Sequence, residues 1–197
     1  MVAMKSLCVF CGANPGTNPA YLEAAKQLGG MLADKNIRLI YGGGKVGMMG
    51  ALADGCIARR GKVTGVIPKF LVDKEVAHNR LNELLIVGSM HERKKKMADL
   101  SEGFLALPGG MGTLEELFEV VTWGQLGLHE KPIGLLNVAD YFTPLLNFLD
   151  HAAAEKFIRP EHRALIMADT QAPNLLQQLM DYRSPRLERW LRKIGDA

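Results

Sequence analysis

The chain has 197 residues, which is enough for one domain with a full hydrophobic core. Its composition, 48% hydrophobic and 23% charged, is that of a globular protein, and no apolar run reaches the roughly 18 residues that a membrane span needs. The formal net charge of +3 is too small to indicate a nucleic-acid partner.

Apolar, β-branched or aromatic runs that end in glycine alternate along the chain with runs of helical periodicity. The first run, SLCVFCGA, is predicted to be a buried strand. It is too short and wrongly flanked for a signal peptide, so we expect a cytoplasmic protein. Predicted strands cover 6–13, 37–44, 62–68, 81–89, 103–110 and 132–138. Predicted helices cover 19–36, 46–61, 90–101, 112–128 and a stretch near 141–156. ALIMAD (164–169) and PNLLQQLMDY (173–182) complete the series, and residues 69–81 are expected to be irregular.

This alternation predicts an α/β fold, a Rossmann-like doubly wound parallel sheet with helices on both faces. We expect a single nucleotide-binding domain over 1–197 that ends in a basic tail at 183–197. In such sheets ligands bind beyond the carboxyl ends of the strands, and the glycine-rich turns of this chain fall at that edge.

The first glycine turn, GGGKVG at 42–47, matches G-x-G-x-x-G between a strand and a helix. A dinucleotide site also needs an acidic residue at the end of the next strand, and KVTGVIP has none. The match also follows the second strand, whereas the usual fingerprint follows the first. A nicotinamide cofactor is therefore disfavoured, and Gly43 and Gly44 are predicted to contact a smaller nucleotide or a phosphate.

The second glycine turn, LPGGMGTLEEL at 107–117, permits two interpretations. Gly109, Gly110 and Gly112 allow close approach of the backbone to a ligand, and a helix that begins near Thr113 aims free N–H groups at the same place. These features favour a monophosphate site. The alternative is structural, because T-x-x-E from Thr113 to Glu116 is also the pattern of a capping box.

A third segment, SMHERKKK, places cations where a helix begins, the end at which positive charge is unfavourable. Ser89 and Glu92 form a further capping-box pattern. Arg93 and Lys94 are predicted to lie near an anionic substrate, although a solvated basic face remains open as the alternative. The irregular segment 72–80 before it is predicted to act as a lid from which Asp73 or Glu75 reaches a sugar.

Two cysteines, Cys8 and Cys11, form a C-x-x-C pattern. The first lies within a predicted strand, and the chain has neither a second C-x-x-C nor a histidine spacing that would complete a zinc site. We therefore expect a structural role for both cysteines, and no metal.

CVFCGAN, YGGGKVGMMG, MHERK, PGGMGTLEE and TWGQLG occur in this order, and together they resemble the "Lonely Guy" family, the cytokinin riboside 5′-monophosphate phosphoribohydrolases. The resemblance covers about residues 5–182. It implies a Rossmann-like fold, a homodimer, no metal and no cofactor. The reaction it implies is hydrolysis of the N-glycosidic bond of an N6-modified AMP, which gives the free base and ribose 5-phosphate. The family is often labelled lysine decarboxylase, but nothing in this sequence indicates a pyridoxal site.

The resemblance also assigns roles to residues. Arg93 and Glu116 are implied to be the catalytic pair, with Glu116 stabilising the positive charge that develops on the ribose and activating water. Whether Arg93 serves the phosphate or the leaving base stays open. The implied substrate-binding residues are Glu75, Lys94, Gly109, Gly110, Met111, Gly112, Thr113, Leu114, Glu115 and Thr122, to which the glycine turn adds Gly43 and Gly44.

Three other functions stay open at this stage. One is a nucleotide-binding carrier or regulator without turnover, and another is an AMP nucleosidase of nucleotide salvage. The third, a dinucleotide oxidoreductase, is disfavoured by the missing acidic residue. The predicted helix TLEELFEVVTWGQLGL is apolar around much of its circumference. One stripe is expected to face the sheet, and the remaining apolar surface indicates a partner subunit, with burial within the same chain as the alternative.

Overall fold

The computed structural model describes residues 4–72 and 77–184. These residues form one seven-stranded sheet in which every pair of neighbouring strands is parallel. The strands are β1 (Ser6–Phe10), β2 (Arg38–Tyr41), β3 (Val63–Pro68), β4 (Glu83–Val87), β5 (Phe104–Ala106), β6 (Ile133–Leu136) and β7 (Ile166–Asp169). Their order across the sheet is β4-β3-β2-β1-β5-β6-β7.

Eight α-helices connect or follow the strands within the described part of the chain. They are α1 (Pro19–Asp34), α2 (Gly47–Ala58), α3 (Lys69–Val72), α4 (Met90–Asp99), α5 (Met111–Gln125), α6 (Thr143–Ala154), α7 (Pro160–Arg163) and α8 (Ala172–Asp181). A 3-10 turn, Val138–Asp140, lies between β6 and α6.

The sheet is covered on both faces, and β1 shows how the sequence achieves this. All five residues of β1 are buried. Leu7 and Val9 pack with α1, α2 and α8, whereas Cys8 and Phe10 pack on the opposite face with α4, α5 and α6. Because successive side chains of a strand point to opposite faces, a strand buried on both sides needs the continuous apolar run SLCVF. The predicted doubly wound α/β fold is confirmed.

The predicted alternation of strands and helices is also confirmed, with two physical differences. Strands end earlier than predicted, β5 at Ala106 rather than near 110, because the backbone leaves the ladder where the proline and glycines begin. The region 69–81 was expected to be irregular, but it begins with the short helix α3 and contributes Ala77 to an isolated bridge with Gly44. Asp73, Glu75 and residues 185–197 of the basic tail lie outside the described residues.

The strand order reverses between β1 and β5, which are neighbours in the sheet. The loops that leave the carboxyl ends of these two strands therefore run to opposite faces and open a crevice between them, the usual ligand position in such sheets. No described helix is long and apolar enough to cross a membrane.

Candidate active site

A cavity of about 470 Å3 lies at this crevice, a volume within the range of small-molecule sites, roughly 300–1,000 Å3. The segments that meet around it include the loop after β1, the end of β2, the loop after β5 with the start of α5, and α4. Residues that line it include Phe10, Cys11, Gly12, Ala13, Asn14, Pro15, Gly16, Tyr21, Gly42, Met48, Met49, Leu71, Met90, Arg93, Pro108, Gly109, Gly110, Gly112, Thr113, Glu115, Glu116 and Tyr141.

The loop after β5 is shaped by its glycines. A Cβ on Gly109 would lie 2.1 Å from Thr113 Oγ1 and 2.7 Å from the backbone N of Gly12, so only glycine fits at this position. Beyond its chain neighbours and the backbone of its own helix, a Cβ on Gly110 or Gly112 would meet no described heavy atom within 4 Å. The loop is therefore packed tightly on its inner side and open on the side where a ligand would approach.

Helix α5 begins at Met111, and its N-cap is Gly110, which offers no side-chain cap. Thr113 is therefore the third helical residue and Glu116 the sixth, so the capping-box interpretation is wrong. The glycines let the backbone turn helical three residues earlier than the Thr-x-x-Glu pattern indicates, since the N-cap is Gly110 and not Thr113. The first backbone bond of the helix is donated by Leu114 N to Gly110 O at 3.1 Å.

The N–H groups of Met111, Gly112 and Thr113 have no backbone acceptor among the residues that the structure describes. The hydroxyl of Thr113 likewise has no hydrogen-bond partner in that part of the chain, although Thr113 is 4% exposed and lines the cavity. A buried hydroxyl and unused helix N–H groups that face one cavity are the donor set of an anion site.

Arg93 is fixed at the base of this cavity by the ends of two strands. It is 6% exposed, its Nε donates to Val66 O at 3.1 Å, and its Nη2 donates to Gly42 O at 3.0 Å. A Cβ on Gly42 would lie 2.1 Å from that Nη2 atom, so a side chain there would displace the guanidinium. The guanidinium is therefore held in one place before any ligand arrives.

Glu116 and Arg93 carry opposite charges, and they shift the pKa of the same buried thiol, Cys11, in opposite directions. Burial and the Glu116 carboxylate raise the pKa of the Cys11 thiol, and the Arg93 guanidinium works in the other direction. The pKa of Cys8 is raised in the same way, by burial first and by Glu116 second. Both thiols are free, buried and held in the protonated form. A packing role for the C-x-x-C pair agrees with this geometry.

Lys94 turns away from the cavity and joins α4 to α5. The side chain is 9% exposed, and it forms salt bridges with Glu115 and, at 3.0 Å, with Glu119. Burial disfavours the ammonium, but the hydrogen bonds and charges of the two glutamates outweigh it and raise the pKa of Lys94. Within this chain Lys94 is a link between helices rather than a side chain that lines the cavity.

The remaining residues predicted to bind substrate divide into two groups. Gly109, Gly110, Gly112, Thr113 and Glu115 line the cavity with Arg93 and Glu116. Gly43, Gly44, Met111, Leu114 and Thr122 are not among its lining residues, and Glu75 lies outside the described residues.

The carbonyl groups of Gly43 and Gly44 accept hydrogen bonds from residues that do not line the cavity. Gly43 O accepts from His78 N at 3.0 Å, and Gly44 O accepts from the Tyr41 hydroxyl at 3.1 Å. Of this glycine turn, only Gly42 lines the cavity.

On α5, the side chains of Met111 and Thr122 face away from the cavity. Met111 is 84% exposed. The Thr122 hydroxyl donates to Phe118 O at 2.7 Å, one turn earlier in the same helix. A ligand in this cavity would not contact these two side chains. They could contact only a ligand that is bound outside it.

Two parts of the site were missed from the sequence. The loop Cys11–Gly16 carries a recognisable signal, since CGANPG follows the first strand and the carboxyl ends of parallel strands meet at one edge. Its contact with the first glycine turn is close: a Cβ on Gly47, where φ is +58°, would lie 2.0 Å from Ala13 O. The second missed part is Tyr141, which follows β6 and lines the cavity. No motif in the sequence around it indicates a site residue.

Comparison with known proteins agrees with this geometry. A family model described as "Possible lysine decarboxylase" matches residues 49–179. The chain is 48% identical over 178 residues to the cytokinin riboside 5′-monophosphate phosphoribohydrolase LOG7 of Arabidopsis thaliana, which covers 90% of this chain and 82% of that protein. It is 47% identical over 185 residues to LOG1 of the same organism, of the same description, with 94% and 86% covered.

Solved structures of lower identity share the fold. The molybdenum cofactor carrier protein of Chlamydomonas reinhardtii superposes with a TM-score of 0.69 at 19% identity, over 90% of this chain and 98% of that one. The molybdenum cofactor binding protein of Rippkaea orientalis gives 0.67 at 21%, over 90% and 96%. At these identities the likeness establishes the Rossmann-like architecture alone.

Proposed function

This chain belongs to the Lonely Guy family of cytokinin riboside 5′-monophosphate phosphoribohydrolases, and we propose that it hydrolyses the N-glycosidic bond of N6-modified adenosine 5′-monophosphates. The products are the free base and ribose 5-phosphate. The decarboxylase wording of the family description does not extend to the relatives above, which are phosphoribohydrolases.

One observation carries the proposal: Thr113 and Glu116 line the same cavity from the same helix. Residues three apart lie on one face of a helix, so an anion site and a carboxylate are adjacent. The hydroxyl of Thr113 and the first N–H groups of α5 bind the 5′-phosphate, which places the ribose toward Glu116.

The bond that breaks joins ribose C1′ to a nitrogen of the base. As it breaks, positive charge develops on the sugar ring, and the Glu116 carboxylate stabilises that charge. A water oxygen bonds to C1′ and passes one proton to Glu116, while the base leaves with the electrons of the C1′–N bond. Glu116 then gives that proton to the base, which restores the carboxylate. Arg93 supplies a fixed positive charge at the base of the same cavity, held by its two carbonyl acceptors.

Apolar side chains form another part of the cavity lining. Met49, Leu71 and Met90 line it together with the polar groups of α5. An apolar substituent on N6 of the base would bury surface against such side chains, at about 25 cal/mol per Å2. This lining supports an N6-modified nucleotide as the substrate, with AMP as the second candidate.

We propose that the protein is a cytoplasmic homodimer. Several large apolar side chains are exposed in the single chain, including Met111 (84%), Leu128 (64%), Phe148 (63%) and Phe157 (88%). Burial of such a surface against a second copy would stabilise association and would bring new side chains to Met111 and Thr122. Light scattering at micromolar concentration tests this proposal, and a mass near the 21.6 kDa of one chain would contradict it.

The function is tested by comparing kcat/KM for isopentenyl-AMP and AMP with the values for the corresponding unphosphorylated ribosides. The phosphorylated substrates are expected to be far better, because binding energy at the phosphate also raises the chemical rate. Equal values would contradict the phosphate site. Nucleotide binding without release of base would indicate a carrier, and NAD(P)H binding detected by fluorescence would indicate an oxidoreductase.

A further inference from the structure

The aromatic residue Tyr141, which follows β6, contacts the glycine loop and lines the cavity beside it. Its hydroxyl donates a hydrogen bond to Gly109 O at 2.5 Å, and its ring lines the cavity. The carbonyl of Gly109 belongs to the same peptide group as the N–H of Gly110, the N-cap of α5. Since a peptide group is planar, a bond that fixes the carbonyl also fixes the direction of that N–H.

The loop needs such support because its glycines carry no side chains that could pack. Glycine populates many backbone conformations, so an unsupported glycine loop would lose much conformational entropy on binding an anion. Two successive carbonyls are held from two directions: Pro108 O accepts from Gly12 N at 3.1 Å, and Gly109 O accepts from Tyr141.

The backbone before Tyr141 is held in an uncommon conformation. Ala139 and Asp140 have φ values of +47° and +59°, in the left-handed region that residues other than glycine rarely adopt. Asn137, 7% exposed, stabilises this corner: its Oδ1 accepts from Phe142 N at 2.6 Å, and its Nδ2 donates to Thr143 Oγ1 at 3.0 Å. Such strain persists where the surroundings over-determine it, commonly at functional sites.

Aromatic contacts fix the ring itself. Tyr141 meets Tyr21 edge to face with ring centres 5.7 Å apart, and it meets Phe142 in the same way at 5.0 Å. Tyr21 lies on α1 and Phe142 on the far face of the sheet, so the ring is held from both sides of the crevice.

We propose that Tyr141 is a positioning residue of the phosphate site: it orients the Gly109–Gly110 peptide and thereby the donors at the start of α5. The hydrogen bond from its hydroxyl also polarises that peptide, which makes the Gly110 N–H a stronger donor. This inference deepens the proposed function and rests on it, because the anion it acts on is the 5′-phosphate of the substrate.

The variant Tyr141→Phe tests the inference, since it removes the hydroxyl and keeps the ring contacts. Binding of ribose 5-phosphate, measured by calorimetry, is expected to weaken by roughly 3- to 10-fold, the effect of one hydrogen bond. The ratio of kcat/KM for AMP to that for adenosine is expected to fall by a similar factor. Tyr182→Phe is the matched control: its hydroxyl also has a partner, in this case the side chain of Ser184, but it lies at the end of α8, away from the cavity.

Unchanged ribose 5-phosphate binding in a folded Tyr141→Phe protein would overturn the inference. So would an equal loss toward AMP and adenosine together with a lowered melting temperature, because a merely structural role predicts that pattern. If the wild-type protein binds ribose 5-phosphate but releases no base from any nucleotide, the proposed function fails, and the calorimetric comparison still decides the role of Tyr141.

Discussion

The ammonium of Lys94 lies 3.0 Å from the Glu119 carboxylate and also forms a salt bridge with Glu115 one turn earlier. The two acceptors lie on successive turns of α5, and the donor lies on α4. This link sets the distance between the helix that carries Arg93 and the helix that carries Glu116.

Replacement of Lys94 by Met should therefore lower stability as well as activity. The change leaves two carboxylates without their cation, and we expect a loss of about 1–3 kcal/mol in the free energy of unfolding. This is less than for a fully buried pair, because Glu115 and Glu119 are 53% and 23% exposed and water solvates them. Denaturant unfolding measures the loss.

The neighbouring residue provides the control for Lys94→Met. Lys95 is 68% exposed and pairs with Asp99 on the same helix, so Lys95→Met should cost no more than about 0.5 kcal/mol. A Lys94→Met protein with wild-type stability and a raised KM for AMP would instead show that Lys94 contacts the substrate directly.

Glu116→Gln separates the chemical role of this carboxylate from any structural one. Since Glu116 is the sixth residue of α5 and does not cap the helix, the isosteric amide should change stability by no more than about 1 kcal/mol. Loss of the negative charge should lower kcat by roughly 100-fold or more, while AMP binding stays near wild type.

Glu130→Gln is the matched control, because Glu130 is an exposed glutamate, and this variant should leave kcat unaltered. Near-normal kcat in a folded Glu116→Gln protein would remove Glu116 from the chemistry. The catalytic role would then pass to another carboxylate, with Glu75 the first to be replaced.

The glycines of the loop should divide into two classes on substitution by alanine. Gly112→Ala places a methyl group in open space, with no described heavy atom within 4 Å outside its own helix backbone and chain neighbours, so stability should be unchanged or higher by up to about 1 kcal/mol. If the phosphate occupies that open space, kcat/KM for AMP should nevertheless fall by roughly 10- to 100-fold. Thermal melting and steady-state kinetics measure the two effects.

Gly109→Ala is the contrasting variant. Its methyl group would lie 2.1 Å from Thr113 Oγ1, so stability and activity should fall together. Full activity of Gly112→Ala would show that the phosphate binds elsewhere.

The buried thiols should make the protein less stable in alkaline solution. Burial raises the pKa of Cys56 to about 11, and burial with the Glu116 charge raises the pKa of Cys8 and Cys11 further. In the unfolded chain these thiols ionise above a pH of about 8.5, while the folded protein still holds their protons, so stability falls as the pH rises above that value.

The three thiols contribute to this loss together, and Lys94 contributes at higher pH. Its raised pKa means that its contribution is fully present below the unfolded value of about 10.4 and is lost as the pH rises through the folded pKa. Cys56→Ala should make the decline of unfolding free energy between about pH 8.5 and 11 shallower than in wild type. Rapid reaction of the folded protein with a thiol reagent at pH 8 would contradict burial of these groups.

The sequence by itself determined the architecture. A short continuous apolar run such as SLCVF that ends near glycine indicates a strand buried on both faces, and the alternation of such runs with helical periodicity predicts a doubly wound parallel sheet. The glycines of 107–117 also indicated a phosphate loop, because both the freedom of glycine and the donors of a helix start are local properties of the chain.

Only the tertiary structure decided which side chains meet at the site. Lys94 forms its salt bridges with α5, and Gly42 rather than Gly43 or Gly44 lines the cavity. The Tyr141 hydroxyl, from the segment after β6, donates a hydrogen bond to Gly109 O. Each of these contacts joins segments that are distant in sequence and become neighbours through the order of the strands. Periodicity and motif spacing describe what one segment can do, and they hold no information about which segment will lie beside it.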